Sequence, residues 1–319
     1  MEFFGKTNIQ FLDKRKLFFY LSTGINIVGM LIVLGLGVRK GIDFEGGTEV
    51  TAKFKNSQVT ENVRSAMDKG GFQNTEIKQY GQPNEFLIRV KEVSGTGEAA
   101  PSVRIKAALT KAFPNESVTL PQTNVIGPKI GEELRTKAVL AVLVAIICIL
   151  LYIAFRFEFV YGLGAVVSLV HDVCVAFTFV VIFQQLNILN LEFNQGVLAA
   201  LLTVVGFSIN DTVIIFDRIR ENRDKHKGMS LITLMDLSIN ETLSRTINTV
   251  LTVVLVLVTI LALAGEALHG FAFTMLVGII TGTYSSIYVA SAFVVWYMET
   301  VNKVDLETPH AKELKAAKA

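Results

Sequence analysis

Residues 138–155 read AVLAVLVAIICILLYIAF, eighteen residues without a charged side chain. A run of this length and apolarity is typical of a helix that crosses the hydrocarbon core of a bilayer, which takes about 20 residues. Five further apolar blocks lie at residues 17–37, 162–183, 197–216, 246–264 and 271–298. The chain as a whole is 51% hydrophobic with a mean hydropathy of +0.49, too apolar for a soluble domain. We therefore predict an α-helical membrane protein with six transmembrane helices.

A long polar stretch separates the first apolar block from the second and has the composition of a globular domain. This pattern predicts a domain inserted between the first two spans. The predicted organisation is an N-terminus at 1–16, a first span at 17–37, an inserted domain at 38–135, a five-span bundle at 136–298 with a loop at 217–244, and a tail at 299–319.

Strand and helix patterns alternate within the inserted domain. Strands are predicted at 48–54, 75–80, 85–90 and 117–126, helices at 57–69 and 101–113, a turn at 81–84 and a Gly/Ser loop at 93–99. The order βαββαβ is that of an α+β, ferredoxin-like domain. The domain contains no Ser/His/Asp set, no phosphate-binding Gly-rich loop and no Cys/His cluster, so we expect it to contact another protein and not to be an enzyme.

Basic residues near the span ends are distributed asymmetrically. Lys and Arg are concentrated at both termini and in the loop between the fourth and fifth spans, whereas residues 184–195 and 265–270 contain neither. The positive-inside rule then places both termini in the cytoplasm and the inserted domain on the outer side. There is no broad basic face of the kind that binds nucleic acid.

Several polar residues lie within the predicted spans, where an ionisable side chain costs at least about 2.5–3.5 kcal/mol on insertion scales. His171 and Asp172 are in the third span, Asn210 and Asp211 in the fourth, and Arg245 opens the fifth. Ionisable residues that are retained despite this free-energy cost typically mark an ion or proton site, and these residues are the candidates.

The topology predicts the depth of two of these residues. Asp211 precedes the border residue Asp217 by six positions, roughly 9 Å at helical rise, and Arg245 begins in the same cytoplasmic third. The two could therefore meet across neighbouring helices. The alternatives are a structural helix–helix hydrogen bond for Asp211 and a border position facing lipid headgroups for Arg245. For Asp172 with His171, packing and a proton relay both remain open.

Small residues in the sixth span predict close helix packing, at Gly278 and Gly282 in a Gly-x-x-x-Gly spacing. The four histidines show no metal-ligand spacing, and no metal or cofactor is predicted. An intramembrane aspartyl protease would pair Asp172 with Asp211, but the YD and GxGD motifs of that class are missing.

Six stretches carry a resemblance to a known family. They are GIDFEGGTEV (41–50), VIGPKIGEEL (125–134), SLVHDV (168–173), GFSINDTVIIFDRIREN (206–222), SRTINT (244–249) and GIITGTYSSIYVAS (278–291). With them the chain resembles the SecF family, the smaller half of the bacterial SecD–SecF protein-export pair. The fourth-span stretch is the most specific of the six, since the Gly-rich one is also typical of the SecD half.

The resemblance implies a half-unit of the RND superfamily in the bacterial inner membrane, with a periplasmic ferredoxin-like domain. It implies SecD as a pseudo-symmetric partner half, the Sec translocon channel SecYEG as a further partner, and an unfolded exported polypeptide as cargo. The proton motive force would drive the late stage of export. The coupling ion is expected to be H⁺, with Na⁺ left open. The alternative function is a half-size RND exporter of small molecules or lipids.

The resemblance also implies residue roles. Asp211 matches the family's fourth-span aspartate, implicated in proton conduction, and Arg245 matches a fifth-span arginine thought to act with it. Asn210 and Asp172 complete the candidate proton-conduction set. The connection between the first span and the domain matches the family's hinge, formed here by Asp43, Phe44, Glu45, Gly46 and Gly47. From the residues alone, glycines that simply allow a turn are the alternative explanation.

Overall fold

The computed structural model describes residues 7–73, 75–92, 100–186, 188–189, 191–264 and 266–303. The predicted loop at 93–99 and residues 304–319 of the predicted tail lie outside these ranges. The helices are α1 (Arg15–Leu36), α2 (Ile42–Glu45), α3 (Thr60–Lys69), α4 (Pro101–Ala112), α5 (Pro128–Arg156), α6 (Phe159–Gln185), α7 (Gln195–Lys225), α8 (Leu231–Leu263), α9 (His269–Ser285) and α10 (Ser291–Thr300). The strands are β1 (Gly47–Lys53), β2 (Glu76–Tyr80), β3 (Gln82–Val90) and β4 (Thr119–Ile126).

Six helical segments among the described residues are long and apolar enough to cross a membrane, as predicted. They are α1, α5, α6, α7, α8 and the continuous segment formed by α9, a π-helical turn (Ser286–Ala290) and α10. About half of the residues of α6, α7 and α9–α10 are buried, whereas few residues of α1, α5 and α8 are. Helices α6, α7 and α9–α10 therefore form the centre of the bundle.

Two of the helices extend beyond the predicted spans. Helix α7 continues to Lys225, and α8 begins at Leu231, so the amphipathic stretch before the fifth span is part of that span's helix. The extension of α8 is held by the N-terminal segment, because the amide of Leu12 donates to the carboxylate of Asp236 at 3.0 Å. An ion pair joins Arg156, the last residue of α5, to Asp217 of α7.

The inserted domain contains a four-stranded sheet in the order β2-β3-β1-β4, with every neighbouring pair antiparallel. Its core includes fully buried side chains such as Phe86, Ile105 and Leu109. The predicted turn at 81–84 is shorter in the structure: Tyr80 pairs with Gln82, and the reversal is made at Gly81, whose φ of 70° favours glycine. Strand β3 thus starts three residues earlier than predicted.

Candidate functional site

Asp172 makes three side-chain contacts, more than any other buried polar residue in the described part of the bundle. Its side chain is fully buried in α6. One carboxylate oxygen lies 2.9 Å from Nδ1 of His171, and the other accepts hydrogen bonds from Ser208 of α7 at 2.5 Å and Ser285 of α9 at 2.7 Å. One carboxyl group therefore joins the three central helices. We refer to Asp172, His171, Ser208 and Ser285 as the Asp172 cluster.

The two glycines of the sixth span allow this close approach. A Cβ atom on Gly278 would lie 2.3 Å from a methyl group of Val204, and one on Gly282 would lie 3.3 Å from Cβ of Ser208 and 3.5 Å from the carboxylate of Asp172. A larger residue at Gly278 would push α9 away from α7. The glycines thus set the helix spacing that the Asp172 cluster requires.

The segment that follows the cluster is irregular. The π-helical turn begins at Ser286, immediately after Ser285. Such turns occur often at functional sites, because an inserted residue changes the rotation of the helix beyond it. His171 lies beside the ring of Tyr284, whose hydroxyl is 2.7 Å from the hydroxyl of Ser22 in α1. The ring contact and this hydrogen bond thus connect α1 to the Asp172 cluster.

Asp211 has the opposite environment. It lies on α7 three residues after Ser208 and is only 2% exposed. Its side chain makes no hydrogen bond or ion pair with any other described residue, so the predicted alternative of a helix–helix hydrogen bond is not what the structure contains. Its neighbour Asn210 is exposed on another face of the helix.

Arg245 and Asp211 lie on helices that pack against each other, but no ion pair joins them within the described part of the chain. Arg245 is exposed and lines a hollow of about 340 Å³ together with Asp217 and Glu241. The same hollow includes Ile214, one helical turn from Asp211. A polar space therefore reaches close to the buried carboxylate.

The residues predicted to form the hinge make a compact connection between the first span and the domain. Asp43, Phe44 and Glu45 belong to the short helix α2, Gly46 follows it, and Gly47 begins β1. Gly47 has a φ of 135°, and a Cβ atom there would lie 2.7 Å from the carbonyl oxygen of Val90. Only glycine fits this conformation and this close approach.

The connection from α6 to α7 is hydrogen-bonded to this hinge. The amides of Gly41 and Phe193 exchange hydrogen bonds with carbonyls across the two segments, at 2.9 and 3.0 Å. The carboxylate of Asp43 accepts from the amide of Gln195, the first residue of α7, at 2.9 Å. A carboxylate at a helix N-terminus stabilises it through the exposed amides and the helix dipole. The chain entering the domain is thereby fixed to the helix that carries Asp211.

A second contact between the domain and the bundle is ionic. Glu192, just before α7, accepts from Arg89 of β3 at 2.5 Å and from Lys78 of β2 at 2.6 Å, and Arg89 also pairs with Glu49 of β1. We call this group the Glu192 contact. Burial alone would raise the pKa of Glu192, but the hydrogen bonds and charges of Arg89 and Lys78 outweigh it and lower the pKa. The contact borders a polar cavity of about 500 Å³ between sheet and bundle.

Replacing Glu192 by glutamine should loosen the domain from the bundle. Charge-assisted hydrogen bonds contribute about 1.5–3 kcal/mol, so opening should become roughly 10 to 100 times more favourable. Hydrogen exchange should then accelerate at residues 188–195. The matched control is Glu85→Gln, which removes a carboxylate that pairs with Lys53 inside the domain and should leave this exchange unchanged. Equal exchange in the parent protein and Glu192→Gln would show that the contact does not hold the domain.

The same contact should open in acid. Because the pKa of Glu192 is lowered in the folded protein, the stabilisation is complete above the ordinary glutamate value of 4.5 and is lost as the pH falls through the lowered pKa. Protection from exchange at residues 188–195, measured against the intrinsic amide rate at each pH, should therefore fall only below about pH 4.5.

Sequence reasoning did not find the Glu192 contact or the serines of the Asp172 cluster. Glu192 is the one charged residue in 184–195, a stretch that was considered only because it contains no Lys or Arg. This single charge in an otherwise uncharged loop was the signal that could have indicated the contact. Ser208 and Ser285 stood inside quoted motifs, but their meeting at Asp172 depends on how three helices pack.

Comparison with known proteins gives consistent matches. A family model described as protein export membrane protein SecD/SecF, C-terminal, matches residues 105–300, and one described as the SecD/SecF GG motif matches residues 32–58. The protein translocase subunit SecF of Calditerrivibrio nitroreducens is 38% identical over 290 residues, 90% of this chain and 93% of that protein. That of Gemmatimonas aurantiaca is 43% identical over 266 residues, 82% of this chain and 78% of that protein.

A solved structure matches as well. The crystal structure of SecDF, a translocon-associated membrane protein from Thermus thermophilus, is similar with a TM-score of 0.79 at 35% identity. The match covers 92% of this chain and 39% of the SecDF chain, so this chain spans about two fifths of that protein. With a family model over more than half of its length and relatives above 30% identity over most of it, the chain belongs to the SecD/SecF family of protein-export membrane proteins, as a subunit of the SecF type.

Proposed function

We propose that this subunit uses the proton motive force to drive movement of its periplasmic domain and so completes Sec-dependent export across the inner membrane. The observation that carries the proposal is Asp211, a carboxylate buried in the bundle without a hydrogen-bonding partner among the described residues and one turn from a polar hollow. A buried acid of this kind changes the energy of its surroundings each time it gains or loses a proton. The protein acts as a transport subunit and not as an enzyme, without a cofactor.

Protonation of Asp211 removes its attraction to Arg245 and its cost of burial. The central helices then repack, with the Asp172 cluster holding α6, α7 and α9 together and the π-helical turn allowing rotation beyond Ser285. One charge moving across the membrane supplies about 2.3 kcal/mol per 100 mV, enough to shift a two-state equilibrium more than tenfold. We assign the coupling ion as H⁺, with Na⁺ as the alternative.

The movement reaches the outer domain through α7. Its first residue, Gln195, is hydrogen-bonded to Asp43 of the hinge. Glu192, three residues earlier in the chain, is bonded to Arg89 of the sheet. The chain that leaves the sheet at β4 and enters α5 also packs on the hinge. A Cβ atom on Gly131 of α5 would lie 3.2 Å from the amide nitrogen of Gly46. A displacement of α7 along its axis would pull on both attachments together.

An exposed stripe on α7 supports SecD as the partner half. Thr203, Gly206 and Asn210 are exposed at a spacing that places them on one face of the helix. A polar amide facing lipid is costly, whereas small and polar residues are typical of contacts between membrane helices. With exposed Arg245 on the neighbouring helix, this face would complete the proton path against SecD.

The remaining assignments follow from the same placement. The antiparallel sheet in the order β2-β3-β1-β4 with two helices supports a ferredoxin-like domain, which we assign to the periplasmic side, with both termini cytoplasmic. We propose that this domain contacts the unfolded exported polypeptide as it leaves the SecYEG channel.

The direct test uses proteoliposomes that contain this subunit, its SecD half and the translocon channel, with an exported polypeptide arrested midway. Imposing a proton gradient should raise the fraction of polypeptide that becomes protected from external protease, and an uncoupler should abolish the gain. Equal completion with and without the gradient would refute the proposal. Gradient-driven movement of a small lipophilic dye instead would favour the RND exporter.

A further inference from the structure

Helix α5 stands away from the centre of the bundle and leaves a gap behind it. The gap is a cavity of about 420 Å³ whose wall is formed entirely by apolar side chains and one cysteine. Met30 of α1, Ala145 and Ile149 of α5, Val170 of α6 and Leu202 of α7 contribute to it. The cavity therefore lies between helices at the depth of the hydrocarbon core.

A second hollow of about 260 Å³ continues the first toward the inserted domain. The two share Val142, Phe193 and Leu198. The second also includes Lys40, which follows α1, and Arg135 of α5. We call the two hollows together the α5 groove.

The groove has the length and the charge distribution of a lipid. From Arg135 to Leu150 the helix rises about 22 Å, whereas half of the hydrocarbon core is about 15 Å thick. A headgroup at Arg135 therefore leaves room for a whole acyl chain along α5. Lys40 and Arg135 are both exposed, and neither forms an ion pair with an acidic side chain in the described residues.

The cations decide what occupies the groove. An acyl chain gains little by leaving the bilayer for an apolar groove, since lipid tails are as apolar as the side chains that line it. Selective retention then requires a headgroup interaction, and basic residues beside transmembrane helices bind anionic headgroups. We propose that the α5 groove binds one phospholipid with an acidic headgroup, its phosphate between Lys40 and Arg135 and an acyl chain between α5 and the central helices.

This site adjoins the hinge, because Phe44 lines its upper part and stacks on Phe193 at 5.4 Å. Phe193 is in turn hydrogen-bonded to Gly41. An occupied groove supports the hinge from the membrane side. The site does not depend on proton coupling, so its test is independent of the transport proposal.

Native mass spectrometry tests whether the acidic headgroup is recognised. The full-length subunit is purified in detergent, and phosphatidylglycerol or phosphatidylcholine is added. Phosphatidylglycerol should bind more tightly. Each cation near a headgroup contributes about fivefold in affinity, so the double variant Lys40→Gln/Arg135→Gln should lose about 25-fold. The control is Lys137→Gln, on the same helix, where the lysine already pairs with Glu133 at 2.7 Å. Equal binding of the two lipids, or an unchanged double variant, would overturn the proposal.

Further experiments test whether an acyl chain, and not a free anion or a partner helix, occupies the groove. Ala145→Trp fills the groove and should reduce binding of phosphatidylglycerol, whereas glycerol phosphate without acyl chains should not compete. Competition by glycerol phosphate would reveal an anion site without a lipid and would refute the groove. The lipid should also remain when the subunit is purified together with its SecD half. Its loss there would mean that a partner helix covers the groove, which also contradicts the proposal.

Discussion

Replacing Asp211 by asparagine should abolish gradient-driven export while leaving the subunit folded and assembled. The side chain is buried but makes no hydrogen bond with another described residue, so the isosteric amide removes no contact. Burying a neutral amide also costs less than burying a charge. What is lost is the ability to bind and release a proton. In the proteoliposome assay, completion of export with an imposed gradient should fall to the level seen with an uncoupler.

The matched control is Asp224→Asn, near the C-terminal end of the same helix. Asp224 is exposed and lies outside the polar hollow, and a substitution at such a surface position usually changes stability by no more than about 0.5 kcal/mol. This variant should keep the gradient response. Gradient-driven export at the parent level in Asp211→Asn, with assembly intact, would remove the central residue from the proposed mechanism.

The six spans were predictable because lipid imposes one requirement on each segment. A chain that crosses the hydrocarbon core must satisfy its own backbone hydrogen bonds over about 20 apolar residues, and that requirement is visible in local sequence. The helix ends were less predictable, because α7 and α8 continue into water. There, contacts between distant residues hold them, such as Leu12 with Asp236, 224 positions apart.

The depth of the site residues in the membrane could also be predicted from the sequence, but the side of the helix on which each one lies could not. Consecutive residues on a helix point about 100° apart, which separates exposed Asn210 from buried Asp211. Which face is buried depends on the neighbouring helices. The Glu192 contact lay further beyond prediction, since Glu192 and Arg89 are 103 residues apart and belong to different structural units.

Asp172 and Asp211, both buried in the bundle, have different environments, and this suggests different roles. Asp172 contacts the ring of His171 on α6 and accepts hydrogen bonds from serines of α7 and α9, which fix its position and hold the helices together. Asp211 has no such donors among the described residues and lies closer to a polar hollow. A fully satisfied polar network rigidifies a core, whereas a carboxylate without hydrogen-bond donors can gain a proton without breaking such a network. We therefore expect Asp172 to position the helices and Asp211 to respond to protons.

Replacing Asp172 by alanine should accordingly destabilise the bundle. The change leaves the hydroxyl of Ser208 without its acceptor and that of Ser285 with only the carbonyl of Gly282 in its own helix. Hydrogen bonds between membrane helices contribute about 0.6 kcal/mol on average and up to about 1.7. We expect a loss of about 2–3 kcal/mol, measured as a lower thermal unfolding temperature in detergent. The control is Ser168→Ala, also fully buried on α6, whose hydroxyl donates only to a carbonyl of its own helix. It should cost well under half as much.

A double-mutant cycle separates positioning from mere burial. If the serine hydroxyl acts through the carboxylate, Ser208→Ala should destabilise the parent protein but cost almost nothing once Asp172 is alanine, because the partner is already gone. Ser285→Ala should behave in the same way. Additive losses would mean that the serines and the carboxylate contribute separately, and the three helices would then be held together by the apolar packing around Gly278 and Val204 and not by the shared carboxyl group.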